Sequence, residues 1–194
     1  MKSKGFTLIE LAVVLAIIAV LAAILTPLVT GYLDQARIAR AQADLRTIAD
    51  ALRLHQRDTG RYPIYETAAD YTADVVGGGA GLIGGPGTNP TDIATWASGV
   101  TVSTTGLETY INANFTNVAA NPFPRAGFRG PYVASIDVDP WGFKYILTAA
   151  HLGANTNHAY VVSAGPNNTI ETAYTQALGT ALVLGTDDIV AVIR

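Results

Sequence analysis

The chain has 194 residues, a net charge of −3, no cysteine and a hydrophobic share of 49%, so it can build one sizeable core but has neither disulfides nor thiolate chemistry. Asp and Glu outnumber Lys and Arg by 15 to 12, which argues against a nucleic-acid groove as its main business.

The first five residues, Met1-Lys2-Ser3-Lys4-Gly5, form a short basic leader. An apolar run follows from Phe6 to Leu25, interrupted by Thr7 and Glu10. About twenty helical positions at ~1.5 Å rise are enough to cross a ~30 Å hydrocarbon core. Lys2 and Lys4 place the leader on the cytoplasmic side and the rest of the chain outside. A carboxylate in lipid costs roughly 2.5–3.5 kcal/mol or more near a helix centre, which makes Glu10 a functional residue in need of a partner. No base lies within helical reach inside the span. Cleavage after Gly5 would create an α-amino group on Phe6 one turn away, able to pair with Glu10 of the same or a neighbouring copy. The simpler alternative is that Glu10 snorkels to the headgroups near a helix start, where the dipole favours a negative charge.

Pro27 falls within the helical pattern and removes a backbone donor, so a kink or local melt is expected there, eased by Gly31. Residues 29–61 read as an amphipathic continuation. Ile38, Leu45, Ile48 and Leu52, with Ala41 and Ala49, make one apolar stripe able to hold a head domain. The helix should stop near Asp58-Thr59-Gly60, with Gly60 as the left-handed cap and Pro63 forbidding continuation. The segment 34–61 carries six arginines against four aspartates, whereas residues 62–194 carry four bases against ten acids. A basic stalk and an acidic head can attract neighbouring copies, and an ordinary solvated helix face accounts for the same charges.

Residues 62–194 form the head. Its segment at about 75–105 is rich in Gly, Ser and Thr and is expected to be a surface insertion. Gly79 to Gly84 match a dinucleotide fingerprint as a string, but Gly85-Pro86 offers no helix to follow it, which excludes cofactor binding there. Asp139-Pro140-Trp141-Gly142 is a type I turn signal, with Trp141 available to fill the core. Short aromatic and β-branched runs at 143–148, 158–163 and 189–193 predict a small antiparallel sheet.

The chain lacks a Gly-x-Ser-x-Gly elbow, a His-Glu-x-x-His helix and a cysteine nucleophile, and His55, His151 and His158 are scattered, so the reading is not an enzyme. Asn114-Phe115-Thr116 and Asn167-Asn168-Thr169 are glycosylation strings of little weight.

Lys4-Gly5-Phe6-Thr7-Leu8-Ile9-Glu10 resembles the class III signal and N-methylation site of the type IV pilin-like family, which includes type IV pilins and type II secretion pseudopilins. The resemblance implies cleavage after Gly5 by a prepilin peptidase, methylation of Phe6, and use of Glu10 in subunit recruitment. It also implies that the helix around Pro27 can extend when subunits pack. Asp58-Thr59-Gly60-Arg61-Tyr62-Pro63, Gly130-Pro131-Tyr132 and the Asp139 turn look like segments of the type II secretion major pseudopilins. In those proteins the loop matching Ser163-Ala164-Gly165-Pro166-Asn167 and Gly185-Thr186-Asp187-Asp188 resembles a calcium site, which makes Asn167, Asp187 and Asp188 candidate ligands and calcium a candidate staple. Asn167 stands where an aspartate is expected, and the loop 169–184 is longer and more apolar than the family pattern.

The expectation is therefore an α+β type IV pilin fold: a leader at 1–5, a transmembrane or filament-core helix at 6–28, an amphipathic helix at 29–61 and a head at 62–194 with a small antiparallel β-sheet. Its expected role is as a homopolymer in a helical extracytoplasmic filament, closest to the major pseudopilin of type II secretion. The alternatives are a surface type IV pilus for adhesion, motility or DNA uptake, and a membrane-anchored binding domain that never polymerises. The resemblance implies, as partners, prepilin peptidase, an inner-membrane assembly platform and minor pilins or pseudopilins. It implies a single-pass precursor in the inner membrane with its head outside the cytoplasm, then a periplasmic or extracellular filament.

Overall fold

The computed structural model describes residues 5–64, 81–103, 105–112, 128–152 and 156–194. Lys2, Lys4, the start of the Gly-rich segment and the Asn114 string lie outside them. Helix α1 runs from Leu8 to Thr59, 52 residues. It stays helical through Pro27 with no melted turn, and Thr26 and Thr30 return their hydroxyls to the carbonyls of Ala22 (2.7 Å) and Pro27 (3.0 Å). The predicted stop is met: Gly60 has φ +80°, a conformation that is strained for any residue with a Cβ, and its N–H donates to the Gln56 carbonyl at 2.8 Å.

The chain divides into two compact units, Met1–Ala39 and Arg40–Arg194. Within the second, Ala41, Leu45, Ile48, Ala49 and Leu52 are buried as the stripe predicts, joined by Ala51 and His55. Ile38, in the first unit, remains 39% exposed. The sheet has four antiparallel strands in chain order: β1 (Ile83–Gly84), β2 (Ile146–Leu147), β3 (Tyr160–Ser163) and β4 (Ile189–Val192). Ile83 faces Leu147, Ile146 faces Val162, and Val161 faces Ala191. Among the described residues the head also holds two short helices, α2 (Ile93–Trp96) and α3 (Leu107–Asn112), and a 3-10 turn at Ala149–His151.

Strand periodicity sends alternate side chains to opposite faces, and here both faces are covered. Ile83, Leu147 and Val161 share a core with Leu45, Ile48 and Leu52 of α1. Ile146, Tyr160 and Val162 belong to a second core with Leu82, Ala97, Ala164 and Ile170, against which Trp96, Val100, Tyr174 and Leu182 pack. The described part of the Gly-rich segment is therefore not surface decoration. It supplies the edge strand β1 and covers the outer face of the sheet, with Leu82 and Ile83 fully buried. The glycine content masked two buried residues whose partners are remote in the chain.

The motifs flanking the first core meet in space. The Tyr132 hydroxyl donates to Asp58 Oδ2 at 3.2 Å, joining the 58–63 and 130–132 motifs. Asn112 clamps the same turn, donating to the Val133 carbonyl at 2.7 Å while its Oδ1 accepts from the Tyr132 and Val133 amides. Tyr145, fully buried, donates to Asp44 Oδ2 of α1 at 2.9 Å, and burial raises its phenol well above the ordinary range. Arg53 of α1 donates to the Val192 carbonyl at 2.5 Å. These bonds fasten the stretch of α1 from Asp44 to Asp58 to the rest of the second unit.

Candidate functional site

At the N-terminus Gly5 and Phe6 precede α1, and Phe6 is 84% exposed, so the bond between them is accessible. Thr7 and Glu10 form a reciprocal cap. Glu10 Oε2 accepts from the Thr7 amide (2.8 Å) and hydroxyl (2.7 Å), while the Glu10 amide approaches Thr7 Oγ1 at 3.4 Å. This is a capping box, in which a Ser or Thr and a Glu three residues later satisfy each other's backbone donors. The partner of Glu10 is thus a hydroxyl and an amide of Thr7 and not a base, and the Thr-x-x-Glu spacing is its sequence signal. In the single subunit Glu10 is held by its own first turn, and the Phe6 amine can enter only after cleavage.

From Leu8 to Leu33, large apolar residues on every side of α1 are exposed, and this helix is long and apolar enough to cross a membrane. A helix apolar all round is stable only inside a bilayer or among other helices. Leu15 and Ile17, at 58% and 55% exposure, are two residues apart and so lie on nearly opposite sides of the helix, and no single stripe distinguishes a preferred face.

The acidic loop of the head brings Asn167, Glu171, Asp187 and Asp188 together. Asn167 Nδ2 donates to Asp187 Oδ1 at 2.7 Å and to Glu171 Oε1 at 3.1 Å. The Asn167 amide N–H donates to Asp187 Oδ2 at 3.2 Å, and Glu171 Oε2 accepts from the amide (2.9 Å) and hydroxyl of Thr186. Those bonds hold the Glu171 carboxyl below its ordinary value. Asp188 is 8% exposed; its Oδ2 accepts from the Glu171 (2.8 Å) and Thr172 (2.5 Å) amides, and burial raises its pKa.

Calcium takes six to eight oxygens converging on one point. Among the described residues two buried side-chain oxygens, Asp188 Oδ1 and Asn168 Oδ1 of the same loop, have no hydrogen-bond partner. Asp187, Glu171 and the Asn167 carbonyl are all engaged, the last by the Thr169 amide at 2.7 Å. No group of three His, Cys, Asp or Glu side chains is placed to hold a metal among the described residues. In this arrangement Asn167 turns its side-chain nitrogen, not its oxygen, toward Asp187 and Glu171. Glu171 was missed by sequence because it sits inside the long loop 169–184, away from the paired aspartates.

A long N-terminal apolar helix whose continuation packs on a small antiparallel four-stranded sheet is the arrangement of a type IV pilin fold. Residues 1–26 match the prokaryotic N-terminal methylation motif. Over 144 residues the chain is 27% identical to the type II secretion system core protein G of Pseudomonas aeruginosa, covering 74% of this chain and 72% of that one. Over 172 residues it is 25% identical to the protein of the same name in Escherichia coli, covering 88% and 87%. Its counterpart in Pectobacterium carotovorum is 35% identical over 65 residues, 34% of this chain and 42% of that one. No solved structure matches. Each of these relatives is named as a core protein of a type II secretion system.

Proposed function

We propose that the chain is a structural subunit that polymerises through its N-terminal helix into the pseudopilus of a type II secretion system. The observation that carries this is the apolar, wholly exposed helix from Leu8 to Leu33, led by the methylation motif and held to no other element of its own unit. The precursor sits in the inner membrane with its head outside the cytoplasm. Prepilin peptidase removes residues 1–5 and methylates Phe6. An assembly platform then lifts the subunit from lipid, and helices from many copies replace lipid contacts with one another. Such heterologous head-to-tail contacts generate open filaments. Glu10 is the polar group that distinguishes a neighbouring amine from lipid.

The test is electron microscopy of sheared material from cells expressing wild type and Glu10→Ala, with mass spectrometry of the mature N-terminus. Filaments beginning at methylated Phe6 and lost in the variant support the reading. Filaments that retract or secrete differently, displayed at the surface with secretion intact in a deletion strain, move the assignment to a surface pilus. Uncut monomer in the membrane, indifferent to Glu10, makes the chain an anchored binding domain.

A further inference from the structure

We propose that the 165–188 loop is closed without a metal ion, the side-chain amide nitrogen of Asn167 taking the position between Asp187 and Glu171 that a divalent cation would otherwise fill. Two carboxylates brought together from sequence positions 171 and 187 need a shared positive or donor group between them, because like charges at short range repel. Asn167 Nδ2 has two N–H bonds and donates one to each, at 2.7 Å to Asp187 and 3.1 Å to Glu171. Its orientation is fixed from the other end. Asn167 Oδ1 accepts from the Thr169 amide at 2.7 Å, and turning the amide over would set its N–H bonds against that donor.

The second half of the closure comes from carboxylates satisfied by backbone amides, and from an indole N–H on a backbone carbonyl. Asp188 Oδ2 takes the Glu171 and Thr172 amides, so the start of the long loop is tied to its end. Trp96 Nε1 donates to the Thr172 carbonyl at 2.6 Å, and the Asp92 carboxylate accepts from the Ile170 amide at 3.1 Å. The Gly-rich segment thus braces the loop from outside. Gly165, at φ +64°, lies so close to the Asp187 carbonyl that a Cβ there would collide with it, which leaves the loop ends no slack. Hydrogen bonds hold what a cation would hold, the Asn167 nitrogen serving two carboxylates and its oxygen the Thr169 amide.

An aspartate at 167 reverses this. Asn167→Asp removes both donors, sets a third carboxylate against Asp187 and Glu171, and exposes several hard oxygens toward one point, the condition under which calcium binds.

Thermal unfolding of the full-length protein in detergent, followed by tryptophan fluorescence, reads the head, since Trp96 and Trp141 both lie there. It is run for wild type, Asn167→Ala and Asn167→Asp, each with EDTA and with calcium chloride, beside calorimetric titration of wild type with calcium. The wild-type midpoint is expected to be the same in both solutions, with no calcium binding heat. Asn167→Ala should melt lower in both. Asn167→Asp should melt lower in EDTA and recover as calcium is raised. A wild-type midpoint that falls on chelation, or measurable calcium binding by wild type, overturns the proposal. So does an Asn167→Ala protein as stable as wild type, or an Asn167→Asp protein that is indifferent to calcium. The wild-type measurements decide the question even if a variant fails to fold.

Discussion

Ser163 Oγ donates to Asp139 Oδ2 at 2.7 Å, and both residues are buried. The other oxygen of Asp139 accepts from the Trp141 (3.0 Å) and Phe143 (2.7 Å) amides, so one carboxylate organises the turn before β2 and ties it to the end of β3. Ser163 Oγ also accepts from the Gly165 amide at 3.3 Å, which extends the link to the start of the acidic loop. Two motifs far apart in the chain are thus one hydrogen-bonded unit.

Removing either partner strands buried donors, at about 1–3 kcal/mol for each group left unsatisfied. Ser163→Ala removes the hydroxyl that donates to Asp139 Oδ2 and accepts from the Gly165 amide, and should cost about 1–3 kcal/mol. Asp139→Ala leaves two backbone amides and a hydroxyl unpaired and should cost clearly more. Denaturant unfolding of the two variants checks the order. Equal losses would mean that the turn amides find other acceptors.

The second core makes a similar claim about the Gly-rich segment. Leu82 is fully buried beneath α2 and the 170–182 loop, whereas Val183, in the same apolar loop, is 72% exposed. Leu82→Ala should cost about 2–5 kcal/mol, and Val183→Ala should change stability by no more than about 0.5 kcal/mol. A Leu82→Ala protein as stable as wild type would return this segment to the status of decoration.

Local signals explain what was legible. The stop at Gly60, the stripe from Ala41 to Leu52 and the runs around Tyr160 and Ile189 depend on neighbours within a few residues, and the structure places them as the sequence predicts. β1 was not legible, because two residues between glycines carry no periodicity and become a strand only by pairing with Ile146 and Leu147, over sixty positions away. The acidic loop was half legible. Asn167, Asp187 and Asp188 are brought together as expected, but a carboxamide and a carboxylate differ in donor chemistry, and spacing does not say which atom faces inward. Pro27 shows the same limit, since a missing donor predicts a weak point without fixing whether an isolated helix opens there.

His151 gives the head a pH dependence. It is buried, its Nδ1 lies 3.2 Å from the His158 carbonyl, and its ring centre lies 4.5 Å from that of Tyr174. Burial lowers its pKa below the ordinary histidine value of 6.5, since desolvation disfavours the imidazolium. Because the folded value is depressed, its stabilising contribution is complete above 6.5 and is lost as pH falls from there through the folded value. His151→Asn keeps a donor near Nδ1 without a titrating ring, so it should flatten this part of the stability curve. Urea midpoints of both proteins between neutral and mildly acidic pH give the comparison, and parallel curves would assign the dependence to other groups.

The capping box at the start of α1 separates two roles for Thr7. Its hydroxyl supplies one of the two donors on Glu10 and also faces the Glu10 amide, so its loss frays the first turn, at about 1 kcal/mol, and leaves the acid less well satisfied in lipid. Thr7→Ser keeps the oxygen and should assemble as wild type. Thr7→Ala should be processed normally, because Gly5 and Phe6 are untouched, yet give fewer filaments per cell, with more monomer left in the membrane fraction. Immunoblots of sheared and membrane fractions measure the ratio, and mass spectrometry confirms that the mature chains begin at Phe6. If alanine and serine variants assemble equally, the hydroxyl serves only the free helix, and Glu10 must find its donors on a neighbouring subunit. If serine fails with alanine, the threonine methyl is what the filament uses, and the cap has no part in assembly.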